Sequence, residues 1–341
     1  MEKVNVLITG VGGGGLGEQV IKALRLSKKL NLNLIGTDIT HKTTGSRLVD
    51  FFYVVPRVNS SNYKETIKSI IEKHQISIIF AGSEAEIKFI SSEKLFFDKL
   101  NVFCALNNKK IIDLCMDKYQ TFKKLESIGV SVGKYKKINN IEDIYNIDYF
   151  PLVLKPSTGS GGSANVSICF DKEDLELTAK YMLKNSIDLV AQEYIESDEE
   201  WTIGVSSDEN GEVLGCIAMK RFLNNSLAIR EKLNRNGKTY VISSGLSQGQ
   251  IVKDNSILAQ SLSIAKQIGS TGPLNIQARV VNGKLYPFEI NPRLSGTTSI
   301  RAMAGYNEPE AMIIKKLGLW DNNLDEYEEL LVLRTIVEVV I

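Results

Sequence analysis

Histidine and cysteine are scarce in this 341-residue chain, and the scarcity narrows its chemistry. His41 and His74 are the only histidines, which all but excludes a histidine triad or a multi-histidine metal site. The cysteines Cys104, Cys115, Cys169 and Cys216 are scattered and form no C-x-x-C pair, so they read as buried thiols in a reducing compartment. No apolar run reaches the roughly 18 residues that span a bilayer. No early apolar run has signal-peptide architecture, so a cytoplasmic location and no membrane partner are expected. The formal net charge of +1 gives no overall electrostatic case for nucleic acid. A P-loop is also missing: Gly237-Lys238-Thr239 ends like one, but Lys232 stands where the leading glycine belongs. Acid, base and metal work therefore falls to carboxylates, amides, lysine and arginine.

What is present divides into two patterns. The first hundred residues alternate strand and helix signals, with apolar strands at Val4–Ile8, Leu32–Thr37, Phe52–Val55 and Ile76–Phe80. Helices fit 18–28, 63–73 and 84–94 between them, which predicts an α/β doubly wound parallel sheet. Asp117 opens a new helix that Gly129 ends, and 130–137 reads as an extended linker. From Phe150 onward strands crowd together, with helices at 254–268 and 308–317 and a final strand over 332–341. This second half reads as α+β with mainly antiparallel strands.

Asn275 to Arg293 reads as two strands around Val281-Asn282-Gly283-Lys284, a strong hairpin signal. Glu289 and Asn291 are two apart, so on a strand both point to one face. A two-residue turn would pair Gln277 with Phe288 and leave Glu289 on the other face. A three-residue connection with a bulge at Gly283 would pair Gln277 with Glu289, and this form is expected because it brings the oxygen donors together. Carboxylate and amide oxygens suit Mg²⁺, which keeps places for phosphate and water.

Two glycine-rich turns add to this. Gly10 to Gly17 follows a strand, precedes a helix and fits G-x-G-x-x-G, with Asp38 near the end of the second strand. That pattern opens a dinucleotide reading beside the plain one of a tight strand–helix turn. Lys155-Pro156-Ser157-Thr158-Gly159-Ser160-Gly161-Gly162-Ser163 lies between two expected strands. It is either a mobile surface turn or a loop that folds its N–H groups over phosphates, with Lys155 as a point charge.

The order Lys118, Lys155, Ser/Gly loop, Gln192-Glu193-Tyr194-Ile195, Glu200, Gln277, Glu289, Asn291, Arg293 resembles the ATP-grasp superfamily. It is most similar to the carbamoyl-phosphate-synthase and biotin-carboxylase-like branch. The resemblance implies a pre-ATP-grasp domain over 1–106, a small lobe over 107–190 and a large lobe over 191–341. It implies ATP and Mg²⁺, or Mn²⁺ in its place. Lys118 and Lys155 match the lysines that hold the phosphates. Ser157, Gly159, Ser160, Gly161, Gly162 and Ser163 match the loop that closes over them. Glu193, Tyr194 and Ile195 match the adenine hinge, and Glu200, with Glu199 beside it, the ribose carboxylate. Gln277, Glu289 and Asn291 match the metal ligands. Arg293 matches the arginine facing the reacting carboxylate, so Arg293 and Lys155 become the catalytic candidates.

The implied reaction is ATP-dependent joining of a small carboxylate to an amine, or to a thiol, through an acyl phosphate. A homodimer through the N-terminal domain fits the resemblance. A single ATP-grasp unit speaks against true carbamoyl-phosphate synthesis, and no Met-Lys-Met biotinylation segment is present. Basic residues Arg221, Arg230, Lys232 and Arg235 in the segment 220–238 form either a substrate lid or a solvated loop, and Arg279 and Arg301 are further anchors for a carboxylate. The rival readings are a dinucleotide-dependent oxidoreductase and a non-catalytic nucleotide sensor.

Overall fold

The computed structural model describes residues 3–159, 165–185, 188–223, 227–320 and 324–340. The chain opens with β1 (Lys3–Ile8), α1 (Leu16–Arg25), β2 (Asn31–Asp38), β3 (Phe51–Val54), α2 (Tyr63–His74), β4 (Ile78–Phe80), α3 (Glu84–Ser92), α4 (Lys94–Lys99), β5 (Phe103–Cys104) and α5 (Lys109–Cys115). Its five strands form a parallel sheet in the order β3-β2-β1-β4-β5. Side chains such as Val6, Leu7, Ile8, Leu34 and Ile79 are buried on both faces, as helices covering a parallel sheet require. The order reverses beside β1, and ligands of such sheets bind at that switch point, outside the strands' carboxyl ends.

Next come α6 (Lys118–Ser127), β6 (Tyr135–Ile138), β7 (Leu152–Pro156), β8 (Ser167–Cys169), α7 (Lys172–Leu183) and β9 (Leu189–Glu193). Their antiparallel sheet has the order β6-β9-β7-β8. The stretch expected to be a linker contributes β6, because β9 offers it an open edge from Tyr135↔Gln192 to Ile138↔Leu189.

The remainder holds β10 (Glu200–Ser207), β11 (Val213–Arg221), β12 (Ile229–Arg235), β13 (Lys238–Ser243), β14 (Gly249–Val252), α8 (Asn255–Ile268), β15 (Pro273–Val281), β16 (Lys284–Asn291), α9 (Thr298–Met303), α10 (Glu308–Lys316) and β17 (Leu331–Val332). Six of these strands form one sheet, β16-β15-β10-β11-β14-β17, and β12 and β13 form a separate hairpin. Period-2 alternation sorts the large sheet. Trp201, Ile203, Val205, Ala218, Ile276, Ala278 and Ile290 pack with Ile257, Ile264 and Ile268 of α8. Glu200, Thr202, Asn275, Gln277 and Arg279 therefore face the other way, as the cross-strand pairs Glu200↔Arg279 and Thr202↔Gln277 require.

The expected final strand stops at Val332. Its partner β14 is four residues long and pairs only through Gly249↔Val332 and Gln250↔Leu331, so residues 333–340 find no ladder there. Arg334 instead donates to Ser247 O at 2.8 Å and to Gly296 O.

Candidate active site

The ribbon β15–β16 pairs Gln277 with Glu289 and Asn275 with Asn291, so the expected donors share a face. The route differs from the expectation. Val281 pairs with Lys284, leaving a two-residue turn in which Asn282 and Gly283 both take positive φ, 51° and 73°. That is the geometry an Asn-Gly hairpin favours. The extra residue is Phe288: Ala278 pairs with Pro287 and Gln277 with Glu289. Pro287 has no N–H to give the ladder, and proline in strands gathers at such irregularities. The bulge turns the Phe288 carbonyl to Lys155, whose Nζ donates to it at 2.9 Å.

Lys155 is 4% exposed and also donates to Gln192 Oε1 at 2.8 Å. Burial, with Lys118 beside it, pushes its ammonium down to about 7, against the opposing pull of Glu289. Lys118 Nζ lies 3.8 Å from Glu289 Oε1. Its place at the head of α6 is set by Asp117, which accepts from the N–H groups of Tyr119 and Gln120 at 3.0 and 3.2 Å and from Ser157 Oγ at 2.6 Å. The Lys118 N–H donates to Ser157 O at 2.8 Å, tying the helix to the phosphate-loop strand. Asp117→Ala is expected to cost about 1–2 kcal/mol of stability, read as a lower denaturant midpoint at constant m; an unchanged midpoint would show that this cap does not hold α6. Gly159 takes φ 71°, while Ser160, Gly161, Gly162 and Ser163 lie outside the described residues.

Lys118, Lys155, Glu193, Tyr194, Ile195 and Glu200 line a cleft of about 690 Å³ between the two antiparallel sheets, walled by Val153, Val166, Ile242 and Phe288. At the hinge, the Glu193 and Tyr194 N–H groups go to Lys134 O and Pro151 O at 2.8 and 3.0 Å. Glu200 is 3% exposed and meets Arg221 Nη1 at 2.7 Å; Arg279 Nη2 is 3.7 Å away. Glu199 instead holds Lys220.

A second basin, of about 1350 Å³, is lined by Gly13, Gly82, Ser83, Thr202, Asn275, Gln277, Glu289, Arg293 and Ser295. Glu289 lines both. Among the described residues no three His, Cys, Asp or Glu side chains gather to hold a metal. A cation here would rest on one carboxylate, amide oxygens and a ligand's own oxygens, as Mg²⁺ does. Asn291 Nδ2 is buried without a hydrogen-bond partner, a donor left for an acceptor oxygen and not for the ion itself. The donor set fits the ion.

Three expectations about arginines are corrected. Arg221 is not part of a lid but is buried on β11 against Glu200, while Arg235 on the hairpin pairs with Asp171 and Asp174 at 2.9 and 3.2 Å. Arg279 shares the Gln277 face, yet it serves the hinge side, donating to Ile195 O at 3.1 Å and Val241 O at 3.0 Å. Arg301 sits on α9, 1% exposed, and pairs with Glu308 Oε2 at 3.1 Å. Each is held by an internal carboxylate or carbonyl; Arg293, whose Nη1 donates to Leu294 O at 3.0 Å, lines the basin. Sequence reasoning missed Thr202, Asn275 and the β12–β13 hairpin; Asn275 was within reach, being two residues before Gln277 on the same strand.

The N-terminal glycine turn is already used. Gly14 N–H and Thr44 Oγ1 donate to Glu18 Oε2 at 3.0 and 2.8 Å, so a carboxylate of the chain takes up one backbone N–H of the turn.

Residues 185–338 match the family described as ATP-grasp in the biosynthetic pathway with Ter operon, and residues 6–105 match the PylC-like N-terminal domain. The mitochondrial arginine-specific carbamoyl phosphate synthase large chain of Neurospora crassa is 24% identical over 336 residues, covering 92% of this chain and 27% of its own length. The chain thus spans about a quarter of the carbamoyl phosphate synthase chains it matches. An L-amino acid ligase from Bacillus licheniformis superposes with TM-score 0.67 at 16% identity, covering 94% of this chain and 77% of that one. The biotin carboxylase domain of Hydrogenobacter thermophilus 2-oxoglutarate carboxylase, a dimer complexed with MgADP, ADP and bicarbonate, superposes with TM-score 0.65 at 18% identity, covering 95% and 71%. At these identities the solved structures speak to the fold. The two domain matches give this chain an ATP-grasp domain over 185–338, with a PylC-like N-terminal domain over 6–105 ahead of it.

Proposed function

We propose that the chain is an ATP-dependent ligase that activates a small carboxylate as an acyl phosphate and joins it to an amine. The observation that carries this reading is Glu289, which lines both the lysine-bearing cleft and the Arg293 basin. We assign the units as 1–106, 107–190 and 191–341, with the nucleotide between the second and third.

In this reading Lys118 and Lys155 hold the phosphates, and Gln277, Glu289 and Asn291 hold Mg²⁺. Mg²⁺–ATP, when bound, supplies the phosphoryl group that turns a poor leaving oxygen into a good one. Glu193 to Ile195 present backbone groups to the adenine edge, and Val153, Val166 and Ile242 give its ring apolar walls. Glu200 serves the ribose side, with Arg221 holding its orientation. Arg293 offers a fork to the substrate carboxylate and stabilises charge on its oxygens as the amine attacks. The chain needs no nucleophile of its own, because positioning and charge stabilisation suffice.

The test is equilibrium binding of Mg–ATP followed by ADP release across a panel of acids and amines. Mg–ATP binding and ADP release dependent on both an acid and an amine are expected. NAD(H) binding without ATP binding would make the chain an oxidoreductase, and ATP binding without turnover for any pair would make it a sensor.

A further inference from the structure

The N-terminal sheet carries another cavity, of about 1410 Å³, that this reading leaves unused. It lies outside the carboxyl ends of β1, β2 and β4, at the switch point. Its lining sets two carboxylates, Asp38 and Glu86, against two cations, Lys42 and Arg57. A β-carbon added at Gly12 would lie 2.7 Å from Asp38 Oδ2 and 3.0 Å from Thr43 Oγ1, and one added at Gly10 would lie 2.7 Å from Glu86 Oε2. Glycine at both positions lets two carboxylates approach the turn. Glu86 is 7% exposed, and the groups that donate to it are neutral: Ser83 Oγ at 2.7 Å and Tyr63 OH at 3.2 Å. Burial raises its pKa, and the charge of Asp38 adds to the rise.

The Asp38 carboxylate has no ion-pair or hydrogen-bond partner among the described residues, its backbone carbonyl alone accepting from Val55 N–H. Thr43 lines the cavity at 4% exposure, and its Oγ1 is buried with no partner. Unmet acceptors around a buried carboxyl group are satisfied best by a donor that carries positive charge. Lys42 and Arg57 stand on the cavity wall and supply the opposite sign for a neighbouring anionic group. The cavity shares Gly13, Gly82 and Ser83 with the Arg293 basin, which makes the two neighbours.

We propose that this cavity receives the ammonium end of a bifunctional substrate, gripping it between Asp38, Glu86 and Thr43 while the reacting end extends past Ser83 toward Arg293. The inference rests on the ligase reading for what lies beyond Ser83. It names a substrate class: small molecules with an ammonium group separate from the group that reacts.

The test is calorimetric titration of the full chain, without nucleotide or metal, using β-alanine, L-ornithine and putrescine as probes and succinate as the anionic control. At least one of the amines is expected to bind in the millimolar range or tighter, and succinate is not. Asp38→Asn and Glu86→Gln should each weaken that amine by roughly tenfold or more, and Thr43→Val by a few-fold. Mg–ATP affinity should be unchanged in all three, which also reports folding; if buried Glu86→Gln fails to fold, Asp38→Asn decides. No binding by any of the three amines, equal binding by the variants, or preference for succinate overturns the proposal. Mg–ATP binding without amine binding would remove this inference alone, and amine binding without Mg–ATP binding would remove the ligase reading alone.

Discussion

On the proposed reading, Glu289→Ala is expected to lower kcat by roughly three orders of magnitude or more, because it would remove both the carboxylate assigned to the metal and the group where the assigned nucleotide and acceptor spaces meet. Glu289 pairs across the ribbon with Gln277, lies 3.8 Å from Lys118 Nζ and lines both cavities. Loss of its charge should also weaken the dependence on Mg²⁺, seen as a raised metal concentration for half-maximal rate. Glu289→Gln keeps the shape and one oxygen, so it should fall between wild type and alanine. Full activity in the alanine variant would mean that the cation, if there is one, sits elsewhere.

If Lys155 holds the phosphates as proposed, Lys155→Met should weaken Mg–ATP binding by about two orders of magnitude, since a buried cation is lost from their side. The pH signature separates this from simple loss of packing. The lysine falls from 10.5 to about 7 in the folded protein, chiefly through burial. Below pH 7 both folded and unfolded chains carry the proton, and the cost of burying the charge is present in full. Between pH 7 and 10.5 the unfolded chain binds more protons, so stability attributable to this group rises with pH. The wild type should show that rise in denaturant melts, and Lys155→Met should lack it. Above pH 7 nucleotide binding should take up close to one proton, as phosphate restores the ammonium; calorimetry in buffers of different ionisation enthalpy reads this directly. Absence of both signatures would mean that Lys155 is charged at all these pH values and is not held in a dry site.

Much of the fold was legible because its signals are local. The alternation in the first hundred residues, the Asp117 cap and the Asn282-Gly283 turn each follow from residue types over a few positions. The paired face of Gln277 and Glu289 was anticipated, but by the wrong device. The turn was read as the source of the extra residue, whereas it arises at Phe288 beside Pro287, where the ladder is already weakened. The partners of Arg221, Arg279 and Arg301 were hidden because Glu200, Val241 and Glu308 reach them only through tertiary packing. Among polar residues, period-2 spacing flags a shared face without saying which are occupied. Strand β6 was missed because a four-residue edge strand carries little pattern of its own.

The kink at Phe288 has a mechanical consequence. Lys155 ties the sheet β6-β9-β7-β8, through Gln192 on β9, to the ribbon β15–β16, through the Phe288 carbonyl. A lysine has three protons to give, and an arriving phosphate competes for them. If the cleft takes a nucleotide as proposed, binding loosens the latch that joins these two elements in its absence, and the triphosphate takes over as the tether between them.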